Sequence, residues 1–237
     1  MGIVIKLKDV EFTNILELAE YPKLPSLQGL YFLDNTQNIA SGTIIDESGK
    51  GNDGTITGTI TMDSSNQAMV FNGTYASPRI DTGIAAITTP TFIYVAMKDT
   101  SVNTNSRAVI SNYSSSGIEC GTGATTCNSG GAKNVGTSVS DTKFEIVCVQ
   151  VTETSVTVYK YDTANKTFAQ YSTLEPGTLV TSTKTYRIGG AHQNMTNNGG
   201  VVIAMAGIYN TLLSKEAMDS AGSYLCAKYK GKLVGIE

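Results

Sequence analysis

Six segments of this chain share one signature: TFIYVAMKD (91–99), RAVISNY (107–113), KFEIVCVQV (143–151), SVTVYKYD (155–162), TYRIGG (185–190) and VVIAMAGIYN (201–210). Each is rich in β-branched and aromatic residues and is bounded by turn formers, so each reads as a strand. Strands recurring at such short intervals leave little room for crossover helices, and the fold class expected is all-β, an antiparallel sandwich. Within KFEIVCVQV, Phe144, Ile146 and Cys148 fall on one face and Val147, Val149 and Val151 on the other. Both faces are apolar, as in an inner strand covered on two sides.

A single sandwich suits a length of 237 residues, since all-β domains of this size form single units. Charged residues make up only 16% of the chain, and Thr, Ser, Asn and Gly fill the polar positions. The outer faces are therefore expected to be hydroxyl-rich rather than ionic. A net charge of −3 and a pI near 5.3 provide no cationic footprint for nucleic acid or an anionic membrane. The run Lys228, Lys230, Lys232 reads as a helix C-terminus complementing its dipole. No basic start joined to an apolar run and a cleavage site is found at the N-terminus, and no apolar stretch is long enough for a membrane span. Of four cysteines, Cys120 and Cys127 bracket a short loop and could close a small disulfide ring. Against that stands the reading of four free thiols, with Cys148 in a strand and Cys226 in a helix.

TIIDESGKGNDGTITGT (43–59) reads as two short β segments around an Asp- and Gly-dense reversal. Asp46 and Ser48 can cap backbone N–H groups, Gly49, Gly51 and Gly54 can take positive φ, and Asp53-Gly54 is a tight-hairpin pair. GLYFLDNT (29–36), IIDESGKGNDGTITG and AMVFNGTYASPRIDTG (68–83), in this order and spacing, resemble the opening of laminin-G-like domains of the concanavalin A-like superfamily. GIYNTLLSKE (207–216), followed by a helix, is similar to the close of many such domains. The resemblance implies a jelly roll from about Gly29 to about Tyr229.

Residues 1–25 read as a separate arm or connector, and 26–237 as the jelly-roll domain. GIVIKLKDVEF alternates as a strand and resembles an N-terminal strand of bacteriophage virion proteins; an ordinary extra strand of the sandwich is the competing reading. The one helix expected lies near the C-terminus. Ser214 is its N-cap, Leu213 and Met218 its hydrophobic staple, and Glu216 an acidic first-turn residue. Ala217, Ala221, Tyr224, Leu225 and Lys228 form its packing stripe, and Gly231 its stop.

Catalytic patterns are missing. The E-x-D-x-E strand of hydrolases on the resembling scaffold is not found, and Tyr186, Arg187 and His192 match no lyase spacing. With one His, nucleophilic triads and zinc sites lack parts. No catalytic residue and no cofactor is therefore expected. Calcium stays open: Asp46, Asn52 and Asp53 offer dense oxygen donors, but the same groups suffice to build the turn. Two polar stretches, 114–138 and 190–200, read as long loops, where ligand contacts concentrate. Tyr113, His192, Gln193 and Asn194 are the ligand-binding candidates, since amides and rings suit sugar hydroxyls and faces.

These readings converge on a non-enzymatic recognition or structural module of a virion, part of an oligomeric assembly, joined to other virion proteins by the arm. The expected ligand is a host-surface glycan or a protein, without nucleic acid or membrane. A secreted bacterial adhesin acting at the cell surface, and a diverged lyase or hydrolase, are the alternatives.

Overall fold

A computed structural model describes residues 20–74, 76–101, 104–193 and 199–237. Among these residues the backbone forms two antiparallel sheets and two helices, numbered in chain order. The helix-side sheet runs β14 (Thr167–Leu174), β13 (Val156–Asp162), β12 (Glu145–Val151), β7 (Thr91–Asp99), β16 (Gly199–Tyr209), β5 (Met69–Gly73), β4 (Thr61–Met62). β1 (Leu27–Phe32) joins the free part of β16. The open sheet runs β11 (Ala132–Gly136), β10 (Ala124–Asn128), β9 (Ile118–Gly121), β8 (Ala108–Ser111), β15 (Arg187–Ile188), β6 (Arg79–Asp81), β3 (Gly54–Thr57), β2 (Thr43–Ile44). A short helix, α1, covers Thr36–Ser41, and α2 covers Lys215–Tyr229.

The helix-side sheet is the middle of three layers, so its central strands are apolar on both faces. In β12, Val147, Val149 and Val151 enter the core between the sheets, while Phe144 just before it, Ile146 and Cys148 enter a second core under α2. β16 is buried along all eleven residues, and a bulge between Ile203 and Met205 resets its alternation. Val201, Ile203, Ala206 and Ile208 face the open sheet, and Val202, Ala204, Met205 and Tyr209 face α2.

α2 begins as expected. Ser214 Oγ accepts from Ala217 N at 3.2 Å, and Leu213 and Met218 are both buried in the core below. Its buried stripe is Met218, Ala221, Gly222, Leu225 and Tyr229, rotated from the expected one because Gly222 lets the helix settle onto Tyr161 and Phe168. Tyr224 is only partly covered, and Lys228 turns outward to pair with Asp34 at 3.0 Å. Gly231 follows the helix at φ +67°.

Two expectations are corrected. The stretch 114–138 is no loop but the meander β9–β10–β11; its Thr, Ala and Gly content hides the alternation, and β11 is an edge strand with four of five residues exposed. β14 likewise packs only its buried Phe168 firmly and lacks an apolar period. Gly54 sits inside β3 without positive φ; a side chain there would collide with Ile80. The arm expected over 1–25 falls largely on residues 1–19, outside the described ones. Tyr21, within it, is buried edge-on against Phe32 and Tyr224, its hydroxyl 2.7 Å from that of Tyr209.

Candidate functional site

One residue step separates two rows that run across the open sheet. Register aligns Ile56, Ile80, Ile188, Ile110, Cys120, Thr125 and Val135 side by side, facing the other sheet. The next positions along the same seven strands point outward, Thr55, Asp81, Arg187, Ser111, Glu119, Thr126 and Asn134, and Thr43 of β2 extends this row beside Thr55. All eight are polar. Adjacent strands lie about 4.8 Å apart, so the row sets hydroxyl, carboxylate, guanidinium and amide groups in a line across the sheet, buried at Ser111 and Glu119 and at least partly exposed at the other six.

The charged centre of this row is compact. Asp81 Oδ1 accepts from Arg187 Nε at 2.7 Å, and Oδ2 accepts from Arg79 Nε at 2.9 Å and Thr57 Oγ1 at 3.1 Å. Burial disfavours the Asp81 carboxylate, but the Arg79 hydrogen bond, the charges of Arg187 and Arg79, and the Thr57 hydroxyl outweigh it. The net effect lowers its pKa below the usual carboxylate value.

Beyond β15 the chain doubles back over this face as a strap, 189–193. Gly189 turns it at φ +75°, where a side chain would strike Phe71. Arg187 Nη1 then donates to Ala191 O at 3.0 Å, and His192 Nε2 lies 2.8 Å from Thr185 O, which fixes the Nε2–H tautomer. Gln193 Nε2 donates to Ser114 O. Ala191 packs on Ala108, and the outward-pointing Ser111 and Glu119 are buried on the stretch of sheet that the strap crosses. Burial lowers the His192 pKa, with Arg187 and Lys184 adding to the effect; the Thr185 carbonyl and Asp81 oppose it without prevailing.

Both ends of the β15–β16 connection hang on Arg107. Its fully buried guanidinium donates to Gly189 O at 2.7 Å and Gly199 O at 3.2 Å, and to Pro78 O at 2.7 Å, Thr74 O at 2.8 Å and Gly73 O at 3.2 Å. One cation thus gathers two loops on the sheet end. A guanidinium suits this because its donors fan out in a fixed plane.

Of the four ligand-binding candidates, the fold brings three together. Gln193 reaches the residue after Tyr113, and His192 precedes it in the strap. Tyr113 is only 5% exposed, so its ring is packed into the structure and not offered as a platform. Asn194 lies outside the described residues. Sequence reading missed Arg107, Asp81 and Arg187 as a set. A signal was available, because R-I-D and Y-R-I-G each place a charge beside an inward Ile.

The Asp-rich turn is built by its own side chains. Asp46 Oδ1 accepts from Leu30 N and Ser48 N, both at 2.9 Å; Oδ2 accepts from Ser48 Oγ at 2.8 Å and Asn52 N at 3.0 Å. Asp53 Oδ1 accepts from Asp46 N at 2.8 Å, and Asn52 Nδ2 donates to Gln28 O at 2.8 Å. Four donors fill the lone-pair sites of Asp46, leaving it no direction for a cation. Among the described residues no His, Cys, Asp or Glu cluster could hold a metal ion. All four cysteines are free thiols; Cys120 lies opposite Thr125 and Cys127 opposite Ile118, so the two are out of step across the β9–β10 pair.

No protein-family model and no curated protein matches the sequence. Solved structures do match. The receptor binding domain of botulinum neurotoxin D aligns with a TM-score of 0.60 at 12% identity, over 85% of this chain and 53% of that one. The binding domain of botulinum neurotoxin DC in complex with SialylT aligns at 0.58 and 13%, over 85% and 52%. The binding domain of Paraclostridial Mosquitocidal Protein 1 aligns at 0.58 and 11%, over 85% and 52%. At such identities the likeness is one of fold, a β-sandwich, and the chain spans about half the length of the structures it matches.

Proposed function

We propose that this chain is a non-enzymatic recognition module of a bacteriophage particle, and that the outward polar row of the open sheet is the face that meets a host-surface glycan. The observation that carries the reading is the row itself: eight polar residues from eight strands in one register, six of them open to solvent on either side of the strap of 189–193, which covers Ser111 and Glu119. Sugars are bound by planar polar groups arranged to meet several hydroxyls at once, and an Asp clamped between two Arg residues is held rigid for that task. The three matched structures named above are binding domains, one of them in complex with SialylT, which supports a binding role for a sandwich of this kind. The sequence pieces at both ends support a concanavalin A-like, laminin-G-like jelly roll. The N-terminal segment supports attachment to other virion proteins within an oligomeric assembly.

The row's geometry favours binding over glycoside hydrolysis. Asp81 and Glu119 are the carboxylates of the row, and three strand spacings separate them, roughly 14 Å. Hydrolases need their pair within about 9.5 Å. Asp81 is also occupied by Arg79 and Arg187, and the His192 Nε2–H by Thr185 O.

A glycan panel and host cells, probed with the purified chain and with Thr126→Ala/Asn134→Ala, test this. Binding by the parent that drops at least tenfold in the variant, at unchanged melting temperature, is expected. Absence of binding to every glycan and cell, or binding indifferent to the substitutions, overturns it. A version lacking residues 1–19 keeps Tyr21 in place and should bind free glycan while losing incorporation into particles.

A further inference from the structure

Arg79 and Arg187 close on Asp81 from neighbouring strands, and each commits only part of its guanidinium to the structure. Nε of both donates to the carboxylate, Arg79 Nη1 donates to Ala76 O at 3.1 Å, and Arg187 Nη1 donates to Ala191 O at 3.0 Å. The Nη2 of each donates to no group among the described residues. Both side chains are mostly covered, at 20% and 17% exposure, yet neither Nη2 is among the enclosed atoms that lack a partner, so both reach solvent. We propose that these two free Nη2 groups bind the carboxylate of an acidic sugar. The inference rests on the polar row as the glycan-binding face and adds what that face selects.

Charge selects the carboxylate. Two guanidiniums share the single carboxylate of Asp81, which leaves one positive charge over, and guanidinium donors suit a carboxylate. The other carboxylates of this face stand off. Glu119 is two strands from Arg187, roughly 10 Å, and buried under the strap, while the exposed Asp53 is roughly 12 Å from Arg187 by strand and residue spacing, beyond the screening length. Neighbouring titrations register the surplus. Burial opposes the Asp81 carboxylate, yet Arg79 and Arg187 hold its pKa below the ordinary value; burial lowers the His192 pKa, and Arg187 and Lys184 push it down further.

Hydroxyls select the sugar and set its direction. Thr57 Oγ1 is spent on Asp81 Oδ2 at 3.1 Å, whereas Thr55, opposite Asp81, and Thr43, opposite Thr55, are exposed. Their hydroxyls continue the line from the arginine pair in steps of about 4.8 Å, and each can donate to or accept from a ligand hydroxyl. The strap closes the other side. Gly190 lies against Arg79, where a side chain would come within 3.0 Å of its Cβ, and Ala191 O holds Arg187. A sugar whose carboxylate sits on the arginines therefore extends over β3 and β2.

The Nε–H groups of Arg79 and Arg187, held by Asp81, supply side-chain NMR signals that report on the pair. Methyl glucuronide should shift both signals, with a Kd on the order of 1 mM. Methyl glucoside, without the charge, should shift neither, and acetate, without the ring, should bind several-fold more weakly. Arg79→Lys keeps the charge but removes Nη2, and should weaken the glucuronide about fivefold or more, read at Arg187. Thr55→Ala should weaken the glucuronide several-fold and leave acetate unchanged, at an unaltered melting temperature. Absence of shifts with the glucuronide, an equal response to the glucoside, acetate binding as tightly, or indifference to both substitutions overturns the proposal. Glycan binding that falls in Thr126→Ala/Asn134→Ala while the glucuronide leaves the arginine signals unmoved would sink this inference and keep the row. Shifted arginine signals in a chain whose glycan binding ignores Thr126 and Asn134 would keep the arginine site and sink the wider row.

Discussion

Asp81 and Arg187 stand 106 residues apart in the chain and 2.7 Å apart in space, on neighbouring strands β6 and β15. Arg79 closes the other side of the same carboxylate, so a single Asp keeps two guanidinium groups from facing each other unscreened. Asp81→Asn should cost about 1 kcal/mol at neutral pH, the modest value of a half-exposed pair. The sign of the pH dependence follows from the lowered folded pKa. The carboxylate's contribution is complete above the unfolded value near 4 and is lost as pH falls through the folded value. Urea unfolding of parent and variant should differ at pH 7 and converge in strong acid.

Arg107→Ala removes the hub of the loop end and leaves the buried carbonyls of Gly189, Gly199 and Pro78 without this donor. A loss of about 3 kcal/mol or more is expected. Arg107→Lys should recover only part of it, because a single ammonium cannot span carbonyls on two loops. Hydrogen exchange should speed up across 189–193 in both variants, and unaltered protection there would refute the anchoring role.

Asp46→Ala strips four hydrogen bonds from one buried carboxylate and should lower stability by about 2–4 kcal/mol. Because those bonds already fill its lone pairs, calcium added after chelation should leave the melting temperature of the parent unchanged. A rise with calcium would show that the turn opens to a cation.

Gly222→Ala pits two effects against each other. Helix propensity favours Ala by about 1 kcal/mol. The new methyl, however, meets the Tyr161 and Phe168 rings, and overpacking of that kind costs about 1–3 kcal/mol. Net destabilisation in a thermal melt is the expected outcome, whereas stabilisation would mean that the α2 interface is loose.

Tyr94 is fully buried between the sheets, and its hydroxyl has no hydrogen-bond partner among the described residues. Tyr94→Phe keeps the ring and removes the unpaired group, so stability should hold or rise by about 1 kcal/mol. A loss of that size would reveal a partner for the hydroxyl.

How far the fold is legible in the residues depends on what each strand touches. β12 and β16 lie in the middle layer, where both faces must be apolar, and their composition announces it. α2 announces its start through Ser214 and Leu213 because capping is local chemistry. β11 and β14 stay hidden because edge strands are held by backbone hydrogen bonds that any residue can make, and so carry little apolar period. The reversal around Asp46 was readable for the same local reason as the cap; the reach of Asp46 to Leu30 N was not.

The candidate site divides along the same line. Residues 185–193 could be singled out from composition, since Tyr, Arg, His and Gln cluster there. What aligned Thr43, Asp81, Arg187 and Asn134 on one face was strand order, which joins β2, β6, β15 and β11 into one sheet. Period-two alternation along a chain says which residues share a face of their own strand. Which faces then lie side by side is set by long-range pairing, and burial of the isoleucine row against the helix-side sheet selects that register over its neighbours.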